Sequence, residues 1–343
     1  VGSEMCIRDR FVKREDKFKI KHKDRVKRGA GYFMQTTKVK NKRLPSKDGK
    51  SQLHVVIWEP QGQVKAILQI AHGMVEYIER YDAFARYLNK KGILVVGNDH
   101  IGHGHTAKEK DLGYFTPDHM SATVVCDLHR VTKCMKKRYP DVPYYLLGHS
   151  MGSFMVRRYL MTFGEEIDGA ILCGTGSHSK AILTIGKVAA DLSGLARGER
   201  HRSRMLEILF FGTYNRRVPR AERKNETDWI SKEPQVREQK MQNKLSNFTF
   251  TVNGYRTLLD VLSYIQRQEN IEKIPKTLPI FLIAGQEDPV GNYGKGVRQV
   301  YKSYKNAGIL DVDIKLYKGD RHEILNEKDR EQVFEDILSW MHC

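Results

Sequence analysis

No run of apolar residues in this sequence approaches the 18 or more consecutive positions that a membrane-spanning helix requires. There is no CxxC spacing either: the five cysteines (Cys6, Cys126, Cys134, Cys173, Cys343) are scattered and odd in number. That argues against a disulfide framework and for a reduced, cytoplasmic setting. Residues 1–33 have no apolar core of the signal-peptide kind. Acidic residues are in deficit, with 41 Asp and Glu against 59 Lys and Arg, and the formal net charge is +18. Such an excess raises nucleic acid or an anionic surface as a partner. Its cations fall in two blocks, Lys13 to Arg28 and Arg197 to Lys224, with no helix-turn-helix, zinc-finger or RNA-binding signature beside them. Nucleic acid is therefore not expected. A solvated basic surface is, with transient peripheral contact to anionic membrane.

Residues 1–10 resemble a translated sequencing-adapter tail, and the chain begins with Val1. They are set aside with the rest of the basic extension, 1–33, which is expected to be partly non-native.

From residue 53 onward, strand-like and helix-like segments alternate. Strand patterns occupy 53–58, 64–71, 93–96, 143–147 and 171–173, with helical spacing at 81–91 and along Val124, Leu128, Val131 and Met135. This order predicts an α/β protein with a mostly parallel central sheet flanked by helices. The pattern lapses over 177–247 into helical fragments and charge clusters. Strands resume at 279–284 and 312–317, before a last helix at 327–342. One sheet with a helical insertion accounts for this, giving a core of 34–176 and 248–343 and a cap or lid of 177–247.

At the end of the 143–147 strand stands Gly148-His149-Ser150-Met151-Gly152. A serine at the apex of a strand–turn–helix is forced into a strained backbone conformation that lifts its Oγ above the sheet edge. A serine hydroxyl is a weak nucleophile and needs a histidine base held by an acid. Asp288 follows the 279–284 strand and His322 follows the 312–317 strand, so the chain order is Ser, Asp, His. Glu287 and Asp320 compete as the acid; Asp288 is preferred because Pro289 fixes a turn directly after it. Acyl transfer also needs oxyanion donors. The backbone N–H groups of Met151, after the serine, and of Met74, after the 64–71 strand, are the candidates.

Together these motifs resemble the monoacylglycerol lipase and lysophospholipase branch of the α/β-hydrolases, including its bacterial members. The resemblance runs from about residue 34 to 343. It is carried by His72-Gly73-Met74-Val75-Glu76 with Arg80-Tyr81, Asp99 with Gly102-His103-Gly104, the serine turn, Gly285 with Asp288-Pro289-Val290, and Arg321-His322-Glu323 with Asn326-Glu327. Asp228-Trp229 and Phe248-Thr249-Phe250-Thr251 are similar to the bacterial cap. The resemblance implies an α/β-hydrolase fold with a mobile helical lid inserted before the acid-bearing strand. It also implies an apolar acyl tunnel and hydrolysis of single-chain acyl lipids without cofactor or metal. His100, Tyr77-Ile78 and Thr106 depart from the branch's usual residues.

His100, His103 and His105 form an HxxHxH cluster that suggests a metal, but no carboxylate or cysteine set matches it. An aminopeptidase shares the fold but needs an acidic pocket for the substrate's amino terminus, whereas the cap is rich in arginine. A non-catalytic binding module would have lost a triad member. Arg202 and Arg204 raise a phosphate-bearing lysophospholipid over a neutral monoacylglycerol.

Overall fold

A computed structural model describes residues 37–117 and 120–342. The adapter-like tail and the 1–33 extension lie outside the described residues. The strands are β1 (Lys38–Pro45), β2 (Gln52–Glu59), β3 (Ala66–Ala71), β4 (Ile93–Asn98), β5 (Tyr144–His149), β6 (Gly169–Cys173), β7 (Ile280–Gly285) and β8 (Val312–Tyr317). They form one sheet in the order β1-β2-β4-β3-β5-β6-β7-β8. β1 and β2 are antiparallel to each other, β2 is antiparallel to β4, and every later pairing is parallel. The chain thus has the α/β-hydrolase arrangement that the strand order predicts.

β1 is absent from the sequence reading for a physical reason. It is an edge strand of composition KVKNKRLP, exposed along most of its length, so it carries no apolar periodicity. Inner strands behave in the opposite way. Along β6 and β7, Ala170, Leu172, Ile280, Leu282 and Ala284 point to one face while Ile171, Cys173, Phe281 and Ile283 point to the other. The first face is covered by α2 (Met120–Arg138), α3 (Met151–Phe163) and α9 (Lys295–Asn306), the second by α1 (Asp82–Asn89) and α10 (Arg330–Trp340). Each large aliphatic side chain buried there contributes about 1.5–3 kcal/mol.

The connection from β6 to β7 holds α4 (Lys180–Arg197), α5 (Arg204–Phe211), α6 (Pro234–Gln242), α7 (Val252–Ile265) and the short α8 (Gln268–Ile271). Serine or threonine caps open three of them: the Ser179, Ser203 and Thr251 side chains accept from Ile182, Leu206 and Gly254 N–H. α7, unmarked in the sequence reading, packs on α2 and α3 and belongs to the buried core. Cys134 and Cys173 are free thiols.

Candidate active site

Ser150 sits between β5 and α3 at φ 52° and ψ −121°, a conformation that L-residues rarely adopt. The surrounding glycines make this turn possible. A Cβ on Gly152 would overlap the carbonyl oxygens of Ala71 and His72, and one on Gly148 would strike the backbone of Gly152 and Ser153. Only bare backbone lets β3, β5 and α3 meet there. As the first residue of α3, Met151 has an N–H with no carbonyl of its own helix to bond, and it lies beside the serine.

β7 and β8 deliver the other two predicted residues. His322 Nδ1 lies 2.9 Å from Asp288 Oδ2, and Asp288 Oδ1 accepts from Val290 N–H at 2.8 Å. Asp288 is fully buried and His322 nearly so. The competing acids point elsewhere: Glu287 is exposed and pairs with Lys232 at 3.1 Å, while desolvation pushes the buried Asp320 up to about 7. The Trp229 ring packs against the imidazole with centroids 5.1 Å apart.

The loop after β3 brings Met74 to the same place. Gly73 lies against Ser150, and its N–H is taken by Glu76 Oε1. His72 accepts from His100 N–H at Nε2, so its Nδ1 carries the proton and donates to the Gly73 carbonyl at 2.8 Å. Burial pushes His72 well below its ordinary value, consistent with this neutral tautomer.

A charged network that the sequence reading did not find supports this loop. Glu76 accepts from Tyr81 Oη at 2.9 Å and lies 3.0 Å from both His149 Nδ1 and Arg80 Nη1. Arg80 in turn forks onto Glu323, with two bonds of 2.8 Å. Burial alone would raise both carboxyls, but His149 and Arg80 hold Glu76 well below its ordinary range, and Arg80 brings Glu323 to about 2. Burial opposes charge on His149 as well; Glu76 outweighs it and raises His149 above its ordinary value. The network's two acids, Glu76 and Glu323, stand 247 positions apart in the chain, which no local spacing reveals.

Ser150, His322, Met74 and Met151 line one cavity of about 410 Å³. Its far walls are apolar, with Phe154, Phe210, Phe211, Leu258, Leu262 and Val290. Arg204 is also on the wall, but Glu207 and Glu226 both pair with it. Arg202 is absent from the lining and donates to the Thr249 carbonyl.

The three clustered histidines do not converge. His100 and His103 are buried beside His72, where desolvation lowers them to about 4 and about 3. His105 faces Glu79 instead, at 3.7 Å. His54, Glu79 and Asp99 bring potential ligand atoms within 4.8 Å of one another. These atoms are already engaged: His54 Nε2 with Glu79 at 2.8 Å, and Asp99 with the Ile78 and His105 N–H groups.

Residues 62–329 match the family described as serine aminopeptidase, S33. Monoglyceride lipase from Rattus norvegicus is 27% identical over 294 residues, covering 83% of this chain and 84% of that protein. Monoacylglycerol lipase from Mycolicibacterium smegmatis is 24% identical over 294 residues, covering 83% and 91%. The crystal structure of a thermostable carboxyl esterase from Bacillus coagulans, in complex with glycerol, superposes with a TM-score of 0.82 at 32% identity, over 90% of this chain and 99% of that one. The fold and these likenesses define a hydrolase. The chain belongs to the serine aminopeptidase S33 family of α/β-hydrolases, on its monoacylglycerol lipase branch. No described helix is long and apolar enough to cross a membrane.

Proposed function

We propose that this protein is a serine carboxylic-ester hydrolase that cleaves monoacylglycerols through Ser150, His322 and Asp288. The observation that carries the reading is the 2.9 Å bond from His322 to Asp288 at the edge of an apolar cavity whose wall includes Ser150. Asp288 fixes the imidazole so that its Nε2 takes the Ser150 proton as Oγ attacks the ester carbonyl. Met151 and Met74 N–H groups receive the oxyanion. Since Gly73 N–H already serves Glu76, Met74 is the next donor along that loop. The protonated imidazole then hands its proton to the departing glycerol oxygen. Water, deprotonated by the same base, releases the fatty acid.

Residues 177–247 act as a cap over this cavity. The Arg204 charge is matched by two glutamates, which favours a neutral glycerol headgroup over a phosphate. An amino terminus finds no free acid either: Glu76, Glu207, Glu226 and Glu323, the carboxylates on the cavity wall, each have an arginine partner. That weighs against peptidase activity. Access to lipid is supported by α4, which exposes Ile182, Ile185, Val188, Leu192 and Leu195 between Lys180, Lys187 and Arg197. This is the composition of a surface that rests transiently on anionic membrane.

The test compares a long-chain monoacylglycerol, a lysophosphatidylcholine and an aminoacyl anilide as substrates of wild type and Ser150→Ala. Turnover is expected to be fastest on the monoacylglycerol and to fall about 10⁶-fold in the variant. Preference for the anilide, or retained activity in Ser150→Ala, would overturn the reading.

A further inference from the structure

Helix α6 has no apolar stripe; beyond its first residue its apolar side chains are Val236 and Met241, and Met241 is 40% exposed. A surface helix of that kind must dock by other means. Its buried residues are two cations a turn apart, Arg237 and Lys240. Arg237 is satisfied within the cap, by Asp228 at 3.1 Å and by the Ser231 and Lys232 carbonyls. Lys240 reaches out of it. Its Nζ donates to the Val75 carbonyl at 2.7 Å, inside the core.

Val75 follows Met74, the proposed oxyanion donor, and has φ 54°. A β-branched residue in the left-handed region is strained, and such strain persists only where surrounding contacts enforce it. Lys240 supplies one such contact. Two residues on, the Tyr77 hydroxyl accepts from Asn243 Nδ2 at 2.8 Å, so the end of α6 holds the loop at two points. Tyr77 is one of the residues that depart from the branch's usual pattern.

We infer that Lys240 is a positioning residue: from the cap it holds residues 73–77 in the strained conformation that aims the Met74 N–H at the developing oxyanion. The oxyanion hole is then complete only when the cap is seated. This deepens the ester-hydrolase reading and rests on it. Lys240 faces Glu76, Arg80, Glu323 and His103. Burial, with Arg80 adding to it, lowers the ammonium to about 8. Below that pH the bond to Val75 is charge-assisted, and above it the assistance is lost. An arginine at 240 keeps its charge throughout.

The test uses a short, soluble p-nitrophenyl ester, so that lipid access plays no part, with wild type, Lys240→Met and Lys240→Arg, and with Ser150→Ala as the blank. Lys240→Met is expected to lower kcat about 10- to 100-fold, the scale of a misplaced reacting group, with KM altered less than about threefold. Wild-type kcat is expected to decline above about pH 8, and Lys240→Arg to recover most of the rate without that decline. Hydrogen exchange gives a readout independent of turnover: in Lys240→Met, amides of residues 73–77 exchange at least about tenfold faster while those of β5 keep their protection. Equal exchange of that loop in both proteins overturns the inference, as does a kcat within twofold of wild type. If Lys240→Met loses β5 protection, the pH profiles of wild type and Lys240→Arg decide, and identical profiles overturn it. A blank as active as wild type would instead remove the ester-hydrolase reading and leave the exchange result to judge the contact.

Discussion

Helices α4 and α7 pack against each other, Gly186 of α4 resting on Leu259 of α7, yet they place most of their large aliphatic side chains in opposite settings. α7 turns Val252, Leu258, Leu259, Val261, Leu262 and Ile265 inward, where α2 and α3 cover them. α4 turns Leu183, Gly186 and Ala190 inward and leaves its larger aliphatics in solvent, with Leu195 85% exposed. One is held as a core helix is held, by apolar area removed from water. The other is seated shallowly and leaves most of its large apolar side chains in solvent. A third mode holds the 222–240 segment. Arg321 binds the Asp228 carbonyl and Glu222, Glu323 N–H bonds the Ile230 carbonyl, and Lys240 bonds Val75. The 222–240 segment is therefore fastened by polar bonds to the loops that follow β3 and β8.

This contrast can be broken at several points. The largest effect is expected within the polar framework of the site, where Asp288→Asn leaves the fold intact but lowers kcat about 10⁴-fold, because an amide donating to Nδ1 holds the imidazole in the wrong tautomer. Steady-state kinetics beside an unchanged Tm check it. In the apolar core, Leu172→Ala, fully buried in β6, should destabilise by about 2–5 kcal/mol in denaturant titration. Glu323→Gln should cost about 3 kcal/mol at neutral pH, because buried Arg80 keeps only Glu76 as a carboxylate partner. The sign of its pH dependence follows from a folded value near 2 against an ordinary 4.5. Glu323 contributes stability above pH 4.5, and that contribution fades as pH falls toward 2. The gap in Tm between wild type and Glu323→Gln should therefore narrow on acidification; a constant gap would contradict the assignment. The smallest effect on stability belongs to α4: Leu195→Ser should change it by less than about 0.5 kcal/mol. The same variant should turn over vesicle-borne monoacylglycerol several-fold more slowly while hydrolysing a soluble ester normally.

What the sequence reveals follows the same division. Inner strands and the serine turn are legible because two-sided burial writes continuous apolar runs and tight backbone contact demands Gly148 and Gly152. Asp288 is legible because it follows β7, buried along its whole length, and His322 because it follows β8, an edge strand whose alternating apolar residues can still be read. β1 is not, since an exposed edge strand has no apolar pattern to read. Nor is the Glu76–Arg80–Glu323–His149 network, whose members meet only once the fold brings the segments after β3 and β8 to the end of β5. Arg202 and Arg204 were legible as charge but not as partnered charge, because Glu226 approaches Arg204 from across the cap. Lys240 sits in a stretch whose composition reads as a solvated helix, and only the fold turns it inward.

The assignment of Ser150 as the nucleophile of this cavity is tested by treating the protein with an alkyl fluorophosphonate and locating the adduct by mass spectrometry of its peptides. One equivalent bound at Ser150, and excluded when a monoacylglycerol ether analogue occupies the cavity, is the predicted result. A protein that takes up no reagent, or takes it up at another residue, would contradict the account.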